Sequence, residues 1–214
     1  MTGLEDTYRH HHKKRRGEDY VLFGDKRGKF LKTRIGRSRR ILDIGCRDGE
    51  LTRYYAEHNE VLGLDIDEHA LQRATDKLGI KIQALDLNGD WVGVPTSYFD
   101  VAVAAEVLEH LYNPDIVLKK IVATLSSDGI LLGSVPNAFS LANRARLFRG
   151  QKAGTPLSDP THINHFSRPE LQSLLEKHFS EVRIYPLGRL AWLDRVYPGM
   201  FSFGLLFEAR RPRG

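Results

Sequence analysis

Residues 41–49 read Ile41-Leu42-Asp43-Ile44-Gly45-Cys46-Arg47-Asp48-Gly49, and the fold is decided there. A short apolar run holding one carboxylate breaks into a turn with two glycines, the pattern of a strand that ends beneath a loop. Downstream the motif is echoed. Val61-Leu62-Gly63-Leu64 is a second strand closed by Asp65, and Ile80 to Leu85 is a third, ending at Asp86. Between them, Glu50 to Glu57 and Glu68 to Leu78 carry apolar residues at helical spacing, the latter stopped by Gly79.

The alternation continues. Asn88 to Tyr98 is rich in Gly, Pro and Asp and reads as a loop. Phe99 to Ala105 is a continuous apolar strand, as expected of one covered on both faces. Pro114 to Leu125 is helical, with proline at its first turn. Ile130 to Val135 is a fifth strand and Pro169 to His178 a further helix; Val182 to Tyr185 and Phe201 to Glu208 read as a closing antiparallel pair. Residues 137–166 show no period and are longer than an ordinary connection, which marks a functional insertion. The expected class is α/β: a doubly wound, mostly parallel seven-stranded sheet with an antiparallel C-terminal strand pair. Ligands of such sheets bind beyond the carboxyl ends of the strands. There Asp43, Asp65 and Asp86 recur, three carboxylates that favour a ligand site over a core role.

A chain of 214 residues suggests one domain with trimmings. Its 41% hydrophobic and 28% charged residues exclude a largely disordered chain. No apolar run approaches the ~20 residues that span a bilayer, so no integral membrane association is expected. The first residues have no apolar stretch of a secretory signal, and the single cysteine, Cys46, fits a reducing compartment. The expected location is therefore cytoplasmic. The formal charge of +5 is unevenly placed: residues 1–40 hold 13 Lys or Arg against 5 Asp or Glu, and the remainder 19 against 22. This divides the chain into a basic arm with a leading helix, 1–38, and a ligand-binding domain, 39–214. Nucleic acid is a less favoured partner of the arm, a solvated terminus being the simpler reading.

A strand, a glycine turn and an acid about 20 positions on is the outline of nucleotide binding. The dinucleotide form needs G-x-G-x-x-G, but those positions from Gly45 hold Gly45, Arg47 and Glu50. Asp48 and Glu50 would also repel phosphate at a helix start. No phosphate loop is present either, since Gly24 to Lys29 has the wrong spacing. A cofactor with an adenosine, a cationic tail and no phosphate suits this acidic turn.

In these segments, over residues 39 to about 208, the chain resembles the class I S-adenosylmethionine-dependent methyltransferases, with their Rossmann-like fold. The turn at Ile41 to Gly49, Val61 to Asp67, Ala84 to Asp86, Phe99 to Leu111 and Gly129 to Asn137 carry the resemblance in order. It implies that Gly45, Cys46 and Gly49 shape the backbone beneath the methionine part and that Asp43 holds its ammonium. It further implies that Asp65, with Ile66 beside it, takes the ribose hydroxyls. Asp86 and the Leu87 amide would meet the adenine, and Ala105 and Glu106 would line the methionine side. Relatives usually carry glycine where Arg47 stands. The implied enzyme moves a methyl group to an oxygen or nitrogen of a small-molecule acceptor, anionic or aromatic in kind, chosen by the arm and the 137–166 insertion.

Methyl transfer from a sulfonium rests on alignment, and a proton on the acceptor needs a base. The catalytic candidates are Glu109, His110 and His162, with Glu106 at helical spacing from the first two and His165 near the third. Three readings stand: His110 or His162 as base; Glu109 and His110 as loop-orienting groups; or Glu106, Glu109, His110 and His162 around a divalent cation. The last resembles small-RNA 2′-O-methyltransferases and ubiquinone-pathway O-methyltransferases. It is not favoured, so no residue is assigned to metal. Trp91, Trp192, Tyr197, Phe201 and Phe203 are core or lid residues, or stack on an acceptor. Arg144, Arg146, Arg149 and Lys152 form a solvated helix face or meet an anionic acceptor. A non-catalytic binding or regulatory module on the same fold is the rival from outside the enzymes.

Overall fold

The computed structural model describes residues 22–213. The expectations for the basic arm over residues 1–21 lie outside the described residues. The described residues form two compact units, one ending at Val94 and one beginning at Pro95.

In the first unit, helix α1 (Gly24–Ile35) buries Phe30, Leu31 and Ile35. It lies close to Tyr54, whose ring sits 2.3 Å from where a Cβ on Gly28 would stand, so glycine is required there. Strands β1 (Arg40–Ile44), β2 (Glu60–Asp65) and β3 (Lys81–Ala84) pair in parallel, with Asp43 opposite Gly63 and Asp65 opposite Ala84. Helix α2 (Glu68–Leu78) starts where the Asp67 side chain accepts the His69 and Ala70 amides, and stops at Gly79 in the left-handed region.

Two expectations change here. Glu50 to Glu57 is not an α-helix but two 3₁₀ turns, Thr52–Tyr54 and Ala56–His58. The Tyr55 amide donates to the Thr52 carbonyl at 3.0 Å and the Asn59 amide to the Ala56 carbonyl at 3.1 Å, three-residue bonds in place of the four-residue bonds of an α-helix. Strand β3 ends at Ala84, so Asp86 stands beyond it. There its carboxylate accepts the Asn88 amide at 2.9 Å, a local turn that competes with strand pairing.

In the second unit, β4 (Phe99–Ala105) runs parallel to β5 (Leu125–Pro136), with helix α3 (Pro114–Thr124) between them in sequence. Asn113 caps α3 and Pro114 occupies its first turn. Strand β5 begins at Leu125, before the Asp128-Gly129 turn where the sequence starts it. The unpatterned 137–166 stretch contains a helix, α4 (Leu141–Phe148), capped by Ser140, and a 3₁₀ turn at Pro156–Ser158. The short α4 escapes periodicity because Asn143 alone of its residues is buried. Helix α5 (Arg168–Glu176) opens on a reciprocal cap between Ser167 and Glu170. Strands β6 (Phe179–Leu187) and β7 (Gly204–Pro212) close the chain, β7 antiparallel to both β5 and β6.

All seven strands belong to one sheet of order β3-β2-β1-β4-β5-β7-β6, which is the expected mostly parallel class with its antiparallel end. The interior of the second unit is apolar: Val101 to Ala104, Leu131, Leu132, Phe179 and Phe207 are buried. Each valine, leucine and phenylalanine among them stabilises the fold by about 1.5–3 kcal/mol relative to exposure.

Candidate functional site

The first unit gathers carboxylates around one turn. Gly45, Arg47 and Gly49 all adopt positive φ, at 71°, 51° and 78°. Gly45 and Cys46 both donate their amides to the Leu64 carbonyl, folding the turn against the end of β2. The Arg47 amide donates to Asp65 Oδ2 at 3.0 Å, and the Asp67 amide to Asp65 Oδ1 at 3.0 Å. Arg47 thus occupies a left-handed position that suits glycine, which is the physical content of its departure from the family pattern. Burial pushes the Asp65 carboxyl up, partly offset by the Asp67 and Arg47 amides.

Asp43 is buried, and its Oδ2 accepts the Thr52 hydroxyl at 2.6 Å and the Tyr55 hydroxyl at 2.7 Å. Burial raises its pKa to about 6, against the lowering by those two hydroxyls. Buried charge is thus tolerated here because it is hydrogen-bonded, a core role the sequence reading did not allow for Asp43. Thr52 and Tyr55 were not foreseen; a hydroxyl nine and twelve positions after a strand aspartate is a signal visible only once the 3₁₀ turns are known.

Asp48 is also buried, and its Oδ2 has no hydrogen-bond partner among the described residues. Cys46 packs close beneath β2, its Sγ 2.6 Å from where a Cβ on Gly63 would stand. Burial, then Asp43, pushes its thiol far up, so Cys46 is a packing residue and not a nucleophile. Ile66 and Leu87 are half-buried, following Asp65 and Asp86, and Asp86 itself is exposed. The set fits a cation with hydroxyls and an amino group: Asp43, Asp48 and Asp65 gather around the turn, and one buried oxygen of Asp48 has no hydrogen-bond partner among the described residues.

The second unit brings three of the catalytic candidates together. Ala105 ends β4 and Glu106 follows at φ 59°, its amide donating to the Ser134 carbonyl and its Oε1 accepting the Ser134 hydroxyl at 3.0 Å. A 3₁₀ turn, Leu108–His110, comes next. Residues 159–166 clamp this turn: the Glu109 carbonyl accepts the Ile163 and Asn164 amides, and Asn164 Nδ2 donates to the Leu111 carbonyl at 2.6 Å. Glu109 is buried.

His110 Nδ1 lies 2.9 Å from the Thr161 carbonyl, and His162 Nδ1 lies 3.2 Å from the Pro156 carbonyl. A carbonyl only accepts, so each ring is protonated at Nδ1 and, when neutral, presents the Nε2 lone pair. The two rings meet edge to face with centroids 4.8 Å apart. One ligating atom each from Glu109, His110 and His162 lie within 4.8 Å of one another. Burial, then the neighbouring His110, lowers the His162 pKa to about 4, so its ring is neutral at pH 7. Glu106 and His165 stand outside this three-residue group. Glu106, Glu109 and His110 do not share a helical face, because the segment is a single tight turn. Of the aromatic candidates, Trp192, Tyr197 and Phe203 are exposed and so are not core residues.

The family model described as a methyltransferase domain matches residues 10–178. A probable S-adenosylmethionine-dependent methyltransferase of Mycobacterium tuberculosis is 26% identical over 141 residues, 64% of this chain and 47% of that protein. A ubiquinone biosynthesis O-methyltransferase of Coxiella burnetii is 27% identical over 123 residues, 54% of this chain and 52% of its own length. The chain spans about half the length of the curated relatives it matches. Among solved structures, a methyltransferase from Archaeoglobus fulgidus has a TM-score of 0.70 at 19% identity, covering 95% of this chain and 99% of that one. The Burkholderia thailandensis 1,6-didemethyltoxoflavin-N1-methyltransferase, solved with S-adenosylhomocysteine, has a TM-score of 0.69 at 20% identity, covering 98% and 88%. These likenesses establish the fold.

Proposed function

The chain belongs to the methyltransferase-domain family, and on that premise we propose that it transfers the methyl group of S-adenosylmethionine to an oxygen or nitrogen of a small-molecule acceptor. The observation that carries this is the carboxylate set around the positive-φ turn, with Asp48 Oδ2 buried and unused. When bound, the cofactor supplies an electrophilic methyl group. Asp65 accepts from the ribose hydroxyls through the lone pairs its two amide donors leave over. Asp86 would take the adenine amino group with the Leu87 amide near it, and Ile66 would stand beside Asp65. Asp43 acts on the ammonium through its charge, since its Oδ2 is engaged by two hydroxyls. Gly45, Cys46 and Gly49 keep the turn thin, and Ala105 and Glu106 are assigned to the methionine side on the resemblance alone.

His110 removes the acceptor's proton through Nε2. His162, held neutral with a pKa of about 4, is a poor proton acceptor near pH 7 and serves to orient its neighbour. Glu109 places a buried carboxyl oxygen beside them. Calorimetric titration with S-adenosylmethionine tests the reading: binding is expected, and a folded chain that binds none supports the non-catalytic module instead.

A second reading has one observation in its favour, the convergence of Glu109, His110 and His162. In it these residues hold a divalent cation that gathers acceptor hydroxyls. Activity retained after chelation and in Glu109→Ala rejects it.

A further inference from the structure

Two hydrogen-bonded stretches of the second unit expose cations and large apolar side chains together. In residues 138–158 every charged side chain is basic: Arg144, Arg146, Arg149 and Lys152, all exposed. In residues 186–204 Arg189 and Arg195 are exposed, and the one acid, Asp194, is buried. Its carboxylate is turned inward, accepting the Gly199 amide at 3.0 Å and the Phe201 amide at 2.7 Å. Exposed acids are therefore absent from both stretches.

The same stretches expose large apolar groups. Phe148, the last residue of α4, is 94% exposed, Val196 69%, Trp192 66% and Tyr197 62%, with Leu141 and Leu190 near half. The two stretches are joined. Asn137 Nδ2 donates to the Gly199 carbonyl at 2.8 Å, Asn143 Nδ2 to the Asn137 carbonyl at 2.9 Å, and the Leu141 amide to the Met200 carbonyl at 2.8 Å. The surface is thus one built feature, reaching from α4 to the turn before β7.

We propose that this face docks on an anionic lipid bilayer as a peripheral contact, inserting Phe148, Trp192, Val196 and Tyr197 at the headgroup level. Interfacial binding combines buried apolar area with attraction of Lys and Arg to anionic lipids, and aromatic side chains settle at that depth. The charge balance selects an anionic surface. The aliphatic tips Leu141, Leu190 and Val196 favour lipid, because they add apolar area that acyl chains bury and a phosphate backbone does not. No helix of the described residues is long and apolar enough to cross a membrane. The inference does not depend on the methyl-transfer assignment.

The test is co-sedimentation of the full chain with vesicles of phosphatidylglycerol and phosphatidylcholine in equal parts, and of phosphatidylcholine alone. Two variants are compared: Phe148→Ser with Val196→Ser, and Arg149→Gln, Lys152→Gln, Arg189→Gln and Arg195→Gln together. Arg144 and Arg146 are left in place because they hold the Phe139 and Gly154 carbonyls. Binding to the anionic vesicles is expected to fall about five-fold per charge removed and about ten-fold or more in the apolar pair. Neutral vesicles should bind weakly. In a Trp91→Phe chain, where Trp192 is the remaining indole, emission should shift to the blue on the anionic vesicles. Absence of binding, undiminished binding by both variants, or displacement from vesicles by single-stranded RNA that binds through the same cations would each overturn the proposal.

Discussion

The turn at residues 45–49 and the histidine pair at residues 110 and 162 are built in opposite ways. The turn is local: its bonds link β1, β2 and the residues just after them, within about 25 positions. The histidine pair joins stretches some 50 positions apart, each ring pinned by a backbone carbonyl. Burial acts on both, but with opposite charge consequences. It raises Asp43 to about 6 and lowers His162 to about 4, favouring the neutral form in each case. The first region collects carboxylates that a cation can offset; the second keeps the His162 ring neutral at pH 7.

The sharpest way to separate the two is to remove His110. His110→Ala should lower turnover by about 10²–10⁴-fold while S-adenosylmethionine affinity, read by calorimetry, stays unchanged. Equal turnover would remove His110 from the chemistry.

Acid unfolding should expose the opposite signs. Between pH 6.5 and 4 the unfolded chain protonates His162 and the folded chain does not, so His162 costs stability as pH falls, by about 3 kcal/mol in total. Between pH 6 and 4 the folded chain protonates Asp43 first, so Asp43 adds about 3 kcal/mol over the same fall. In denaturant titrations at pH 7, 5.5 and 4.5 with chelator present, His162→Asn should gain stability on acidification relative to the unmodified chain. Asp43→Asn should lose it. Parallel curves for all three would break the comparison.

The smallest effect belongs to Arg47. Arg47→Gly relieves a left-handed side-chain position and should stabilise the fold by about 1 kcal/mol, seen as a raised midpoint of urea unfolding. A lowered midpoint would mean that the Arg47 side chain contributes more than its backbone costs.

The same contrast explains what could be read in advance. The order of strands and the places of Asp43 and Asp65 followed from apolar runs and glycine turns, because parallel strands buried on both faces leave a strong local signature. Residues 50–57 misled because Leu51, Tyr54 and Tyr55 have helical spacing, while the Tyr55 and Thr52 hydroxyls and the Asn59 amide impose tighter turns. Asp86 stands two residues past the end of β3, where its carboxylate accepts the Asn88 amide in a local turn. Glu109, His110 and His162 were named from residue type, but their meeting depends on the clamp of Ile163 and Asn164 on the Glu109 carbonyl, which no spacing encodes. The α4 face was missed as a surface because its apolar residues point outward, where periodicity has nothing to report.

The most direct test of the central claim is calorimetric titration of S-adenosylmethionine into the unmodified chain and into Asp65→Ala with Asp86→Ala. Charged hydrogen bonds contribute about 1.5–3 kcal/mol each, so the account predicts at least a ten-fold weaker dissociation constant in the folded double variant. Equal affinity in the two proteins would contradict it.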